Sequence, residues 1–221
     1  MKFLPRKYRE TQADWFAKRG MSWHISVVMR KDNGKLQQQT LVHIVENNNQ
    51  ESETVVEIVK HCLKKIKKDH PEITTAYMRQ DNAGCYHSSM MLIACRSMKE
   101  ETGITIERVD FSDPQGGKGP CDRKAATIKA HVRHYVNEGH DVLTHSDFKD
   151  AMLSFGGVRG VRVALFNSAE SSQQLSSDST DKLEGVSTLN NFSYDGTDTI
   201  KAWKAYGVGE GKPFTLSKPK G

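Results

Sequence analysis

The sequence predicts an α/β fold, a mixed sheet with helices on both faces, and three observations lead there. Apolar residues alternate with period two over residues 21–31, Asp32-Asn33-Gly34 follows as a hairpin turn signal, and from residue 51 onward helical and strand patterns alternate. The expected order is three antiparallel strands, then helix, strand, helix, strand and helix, closed by a small C-terminal extension. Alternation in the second half implies a parallel, helix-covered portion of sheet.

The first strand is placed around Thr11 to Phe16. The second covers MSWHISVVMRK, residues 21–31, with Trp23, Ile25, Val27 and Met29 on one face, and the third covers residues 36–46. The first long helix runs from Glu51 to Lys68 on the stripe Val55, Val59, Cys62, Leu63 and Ile66, with Ser52 as its cap and Pro71 preventing continuation. Its lysine run sits in the last turn, where the helix dipole favours cations. A strand over Ile73–Arg79 ends at Asp81, a helix over His87–Lys99 is closed by Gly103, and ITIERVDF (104–111) is the next strand. A helix from Cys121 to Asn137 turns Ala125, Ile128, Val132, Tyr135 and Val136 inward; a short helix over 146–154 and a strand over 161–166 follow. These elements define a core over 1–166, an acidic serine-rich linker over 167–183 and the extension over 184–221, in which NNFSYDG and IKAWKAYGVG are short aromatic elements.

A chain of 221 residues can bury one sizeable core. No run approaches the roughly 18 apolar residues of a membrane helix, and MKFLPRKYRE lacks the apolar region of a secretion signal. Cys62, Cys85, Cys95 and Cys121 show no CxxC pairing and read as reduced thiols, hence an intracellular protein with no membrane partner. The net charge of +5 is unevenly spread. Residues 1–30 hold seven Lys/Arg against two acids, and 118–133 hold five against one, which suits a polyanion. Gly116-Gly117-Lys118-Gly119 lacks the GxxxxGK[ST] spacing of a nucleotide-hydrolysing loop.

The candidate site is a set of carboxylates. Asp81 falls at the carboxyl end of a strand just before a helix, the place where α/β sheets build sites. Asp14 and Asp122 occupy comparable places in the element order. Each also has an ordinary reading, Asp14 as a solvated strand residue, Asp81 as a turn former, Asp122 as an acid complementing a helix N-terminus. Lys118, Arg123, Lys124, Lys129 and Arg133 are the residues placed to grip a phosphate backbone.

Element order and acids together resemble the ribonuclease H-like fold of DDE/DDD transposases and integrases. TQADWFAKRGMSWHISVV is similar to the first-strand segment of eukaryotic transposon-derived proteins, YMRQDNAGCYHSS to their second-acid motif, and DFSDPQGGKGPCDRKAATIKAHVRHYVNEG to their glycine-lysine-glycine motif. The likeness covers roughly residues 8–166. It implies a catalytic and metal-binding triad of Asp14, Asp81 and Asp122, with Asp113 and Glu138 as alternatives for the third place. Two Mg²⁺ or Mn²⁺ ions would be bound, through which such a site activates an attacking oxygen and stabilises the leaving one.

The function expected from the resemblance is a metal-dependent polynucleotidyl transferase or nuclease core cutting DNA phosphodiester bonds, with RNA or an RNA–DNA hybrid as alternative substrates. Its location would be nuclear, and a second copy of the chain is a candidate partner. Where the family often has His in the glycine-lysine motif and Glu-Asn after the first acid, this chain has Gly116 or Gly117 and Ala17-Lys18. Those departures motivate the alternative, a domesticated, catalytically inactive transposase remnant that binds nucleic acid or protein.

Overall fold

In the computed structural model, which describes residues 1–16, 18–46, 51–112, 119–167, 182–196 and 199–216, the chain is mixed α/β and carries two mixed sheets. Its first elements are β1 (Lys2–Phe3), α1 (Gln12–Phe16), β2 (Met21–Asp32), β3 (Lys35–Val45), α2 (Ser52–Asp69), β4 (Thr75–Gln80) and α3 (Ser89–Thr102). There follow β5 (Thr105–Phe111), α4 (Pro120–Asn137), α5 (His145–Leu153), β6 (Val161–Phe166), β7 (Asn191–Tyr194), β8 (Thr199–Trp203) and β9 (Lys212–Thr215). Two compact units result, Met1–Asn49 with Gly117–Glu170, and Gln50–Gly116 with Ser171–Gly221. The strands expected in one sheet thus lie in two.

The first unit is organised by the β2–β3 hairpin. Asn33 (φ 48°) and Gly34 (φ 78°) both take left-handed backbone, the turn whose twist matches antiparallel strands, and register runs from Asp32↔Lys35 to Ser22↔Val45. β1 pairs antiparallel with β2, and β6 pairs parallel with β3, giving the order β1-β2-β3-β6. Trp23, Ile25, Val42 and Ile44 form one apolar face against Ala125, Ile128, Val132 and Val136 of α4 and Phe148, Ala151 and Met152 of α5. Met29, expected on that face, is 53% exposed, because the far end of the hairpin carries no cover from this core.

The expectation of a strand at residues 11–16 is corrected: the segment is the short helix α1. The reason is local. Thr11 and Asp14 form a reciprocal capping pair, Thr11 N donating to Asp14 Oδ2 at 3.0 Å and Asp14 N to Thr11 Oγ1 at 3.3 Å, which satisfies donors at a helix start. The antiparallel strand beside β2 is Lys2–Phe3 instead.

In the second unit, β4 and β5 run parallel with α3 between them in sequence, and β7, β8 and β9 continue the sheet antiparallel in the order β4-β5-β7-β8-β9. The segment expected as an appended extension therefore supplies three of five strands. Alternation along these strands, shifted in β5 by one extra residue between Ile106 and Arg108, turns Ile106, Val109, Phe192, Ile200, Ala202 and Phe214 inward, where they meet α2 (Val55, Val59, Leu63) and α3 (Met91, Leu92, Cys95, Met98). Ser88 caps α3 by accepting from Met91 N at 3.2 Å, and Gly103 (φ 73°) ends it in the left-handed conformation. One lysine of α2 is structural: Lys60 is buried and paired with Glu57 at 3.1 Å and Glu101 at 2.8 Å. Among the described residues no helix is long and apolar enough to cross a membrane.

Candidate functional site

Each carboxylate of the expected triad has a definite environment. Asp14 lies in the first turn of α1 in the first unit, with both oxygens in use. Oδ1 accepts from Lys7 Nζ at 2.7 Å, and Oδ2 accepts from Thr11 N at 3.0 Å and Thr11 Oγ1 at 2.7 Å. The Lys7 hydrogen bond, helped by the two from Thr11, holds the carboxyl well below its ordinary range, and Asp14 in turn raises the Lys7 ammonium. A divalent ion at Asp14 would compete with the Lys7 ammonium for Oδ1.

Asp122 belongs to the same unit and is the third residue of α4. Its Oδ2 accepts from Gly119 N at 3.0 Å, and Pro120 occupies the first turn, where its missing N–H costs nothing. This is the helix-start role open to it from sequence. Glu138 is the exposed C-cap of the same helix, 3.9 Å from His134 Nδ1. Asp113 lies outside the described residues, as do Gly116, Gly117 and Lys118 of the glycine-lysine motif.

Asp81 belongs to the second unit and is different in kind. It is exposed, directly follows β4, and among the described residues its Oδ1 accepts from the neighbouring Asn82 N at 2.8 Å. The loop behind it is rigidly built: His87 stacks on Phe111 (centroids 4.0 Å apart) and its Nδ1 meets Asn82 Oδ1 at 2.5 Å, while Tyr86 N and His87 N both donate to Ala83 O. Burial lowers the His87 pKa. Among the described residues no group of three or more His, Cys, Asp or Glu side chains is arranged to hold a metal ion.

Of the basic residues expected to grip a backbone, Arg123, Lys124, Lys129 and Arg133 lie on α4, and Lys118 lies outside the described residues. With Ala125, Ile128, Val132 and Val136 turned into the core, Arg123, Lys129 and Arg133 are exposed, and between them lie the small exposed residues Ala126, Thr127 and Ala130. Lys124 is half-buried and donates to Arg159 O at 3.4 Å, which removes it from the outward set. Small side chains between arginines leave room for a phosphate backbone to come close to the helix.

Sequence reasoning missed a second surface, the face of the second unit's sheet turned away from α2 and α3. Paired register sets Tyr77, Arg108, Ser193 and Lys201 in one row and Arg79, Asp110, Asn191 and Trp203 in the next. The signal was the alternation itself: TAYMRQ and TIKAW place their aromatic and basic residues opposite the core-facing ones.

The fold and these surfaces define a mixed α/β protein with a cationic helix and an exposed carboxylate at the end of a parallel strand pair. The chain belongs to the family described as a domain of unknown function, DUF8701, whose model matches residues 5–197. No curated protein and no solved structure matches it.

Proposed function

We propose that the chain is a transposase-like protein that binds nucleic acid through α4 and does not depend on a three-carboxylate metal centre. The observation that carries this reading is the outward face of α4, where Arg123, Lys129 and Arg133 flank small residues while Asp122 is spent on capping the helix. Asp14, held by Lys7 and Thr11, adds to it. A ribonuclease H-like origin and a nuclear location are part of the proposal. What supports that origin is element order alone, an antiparallel β2–β3 hairpin and then a parallel β4-α3-β5 unit with Asp81 at its carboxyl end, the two lying in separate sheets.

Binding to phosphates releases counterions, so affinity should fall steeply with salt. In a duplex-DNA titration at several salt concentrations, the triple variant Arg123→Ala, Lys129→Ala, Arg133→Ala is expected to weaken binding and to reduce the log–log salt slope by about three, one for each cation removed. An unchanged slope would remove α4 as the interface.

One observation favours a second reading, metal-dependent DNA cutting: Asp81 is exposed at a strand end with a single backbone donor among the described residues. Mg²⁺- or Mn²⁺-dependent nicking of plasmid DNA tests it. Under this reading Asp81→Ala abolishes the activity; equal nicking by both proteins would end it.

A further inference from the structure

The outer face of the second unit's sheet joins three exposed or half-exposed aromatic rings to cations. Tyr77 is 65% and Tyr206 52% exposed, and Trp203 is half-buried. Arg108 lies between the two tyrosines, its guanidinium carbon 4.3 Å from the Tyr206 centroid and 5.6 Å from that of Tyr77, and Tyr206 meets Trp203 edge-on at 5.2 Å. Tyr77, Arg108, Tyr206 and Trp203 thus form one continuous line from β4 to β8. Three strand spacings make that line on the order of 14 Å long.

The rings are held in place. Arg108 Nε donates to Asp110 Oδ2 at 3.0 Å, Asn191 Nδ2 donates to Asp110 Oδ1 at 2.6 Å, and Tyr77 Oη donates to Glu107. Trp203 Nε1 donates to Gly209 O at 3.3 Å, and the indole packs so closely on Gly211 (φ +75°) that a Cβ there would stand 2.5 Å from the ring. Both carboxylates within the sheet face are therefore committed. On the two rows Arg79, Arg108 and Lys201 stand against Asp110, with Glu107 beside Tyr77, so the face carries three cations to two acids.

We propose that this face is a binding platform for single-stranded DNA. Bases stack on Tyr77, Tyr206 and Trp203, and phosphates are met by Arg79 and Lys201. Every base has a π-face, so such stacking tolerates sequence, and a duplex, whose bases already stack on one another, cannot use it. This inference does not depend on α4, which belongs to the other unit.

The test is fluorescence anisotropy of a labelled 12-nucleotide oligothymidine with the full chain, beside oligouridine and duplex DNA of the same length. Oligothymidine should bind, and Trp203 emission should be quenched as it does. Tyr77→Ala and Tyr206→Ala should each weaken binding about tenfold, while Tyr77→Phe and Tyr206→Phe, which keep the ring, should stay within about threefold of the parent. Circular dichroism on each variant establishes that it is folded; both tyrosines are exposed, so neither is needed by the core. The α4 triple variant should retain oligothymidine binding that the tyrosine variants lose. The platform is overturned by tenfold preference of the α4 triple variant for duplex or for oligouridine, by tyrosine variants that bind as the parent does, or by no binding of oligothymidine at all. Failure of α4 alone would leave the tyrosine effects intact, so the two surfaces are judged separately.

Discussion

Phe148→Ala is expected to destabilise the first unit by about 3–5 kcal/mol, the cost of removing a large aromatic side chain from a packed interior. Phe148 is fully buried on α5, stacked on Phe3 with centroids 4.0 Å apart and 15° between planes, and edge-on to Trp23 at 5.4 Å. It thereby joins three segments distant in sequence, β1, β2 and α5. A helix of nine residues is too short to persist alone, so α5 owes its existence to this burial despite a good cap, in which Asp147 N donates to Thr144 Oγ1 at 3.1 Å and Thr144 N to Asp147 Oδ2 at 2.9 Å. Urea unfolding followed by far-ultraviolet circular dichroism gives the loss. Leu153→Ala, whose side chain belongs to a residue 48% exposed on the same helix, is the control and should cost under about 0.5 kcal/mol. Similar losses in the two variants would show that the Phe3–Trp23–Phe148 cluster is not a core.

The parts of this fold legible from sequence are those specified locally. The Asn-Gly turn fixes the β2–β3 hairpin because only residues tolerant of left-handed backbone suit it, and α4 announces itself by four apolar residues at helical spacing. Thr11 and Asp14 carry a local signal too, the S/T-x-x-D/E pattern of a helix start, but a segment this short also reads as a strand, and only the capping hydrogen bonds decide between them. What periodicity cannot supply is pairing. Nothing in VRVALF says that it runs parallel beside β3, and nothing in NNFSY says that it lies beside β5, more than 80 residues earlier in sequence. Two sheets in place of one follow from those long-range choices.

The candidate site divides along the same line. That Asp81 closes a strand before a helix is readable, since both elements are periodic. That Asp14 is held by Lys7 is not, because both readings of the acid share one sequence; in the fold its oxygens have partners within the chain. The aromatic sheet face is hidden for a different reason. Tyr77, Arg108 and Trp203 lie on three strands and become neighbours only once β5 and β8 flank β7.

Acidification below about pH 6.5 should destabilise the protein, and His24 is a principal cause. His24 lies mid-strand in β2, directly paired with His43 of β3, the two rings 6.4 Å apart, and its Nε2 is 3.1 Å from Ser26 Oγ. Burial, with a smaller contribution from the terminal ammonium, brings its pKa down from 6.5 to about 4. Between those values the unfolded chain binds a proton that the native state does not, so stability rises with pH there and is lost as pH falls from about 6.5 towards 4. At about 1.4 kcal/mol per pH unit, the loss over that window is about 3 kcal/mol. Burial also lowers the pKa of His61 and His87, which add loss of the same sign in the second unit. Asp14 and Glu10 are held low by Lys7 and Lys18 respectively, so their stabilising charge is lost as pH falls below their unfolded values of 3.8 and 4.5, at the acid end of this window. His24→Gln removes the ionisation while keeping a polar side chain. Unfolding free energies measured at intervals from pH 7 to pH 4.5 should therefore show a slope shallower than the parent's by close to one proton. Parallel profiles for the two proteins would mean that His24 charges in the folded state as readily as in the unfolded one, and that acid instability originates elsewhere.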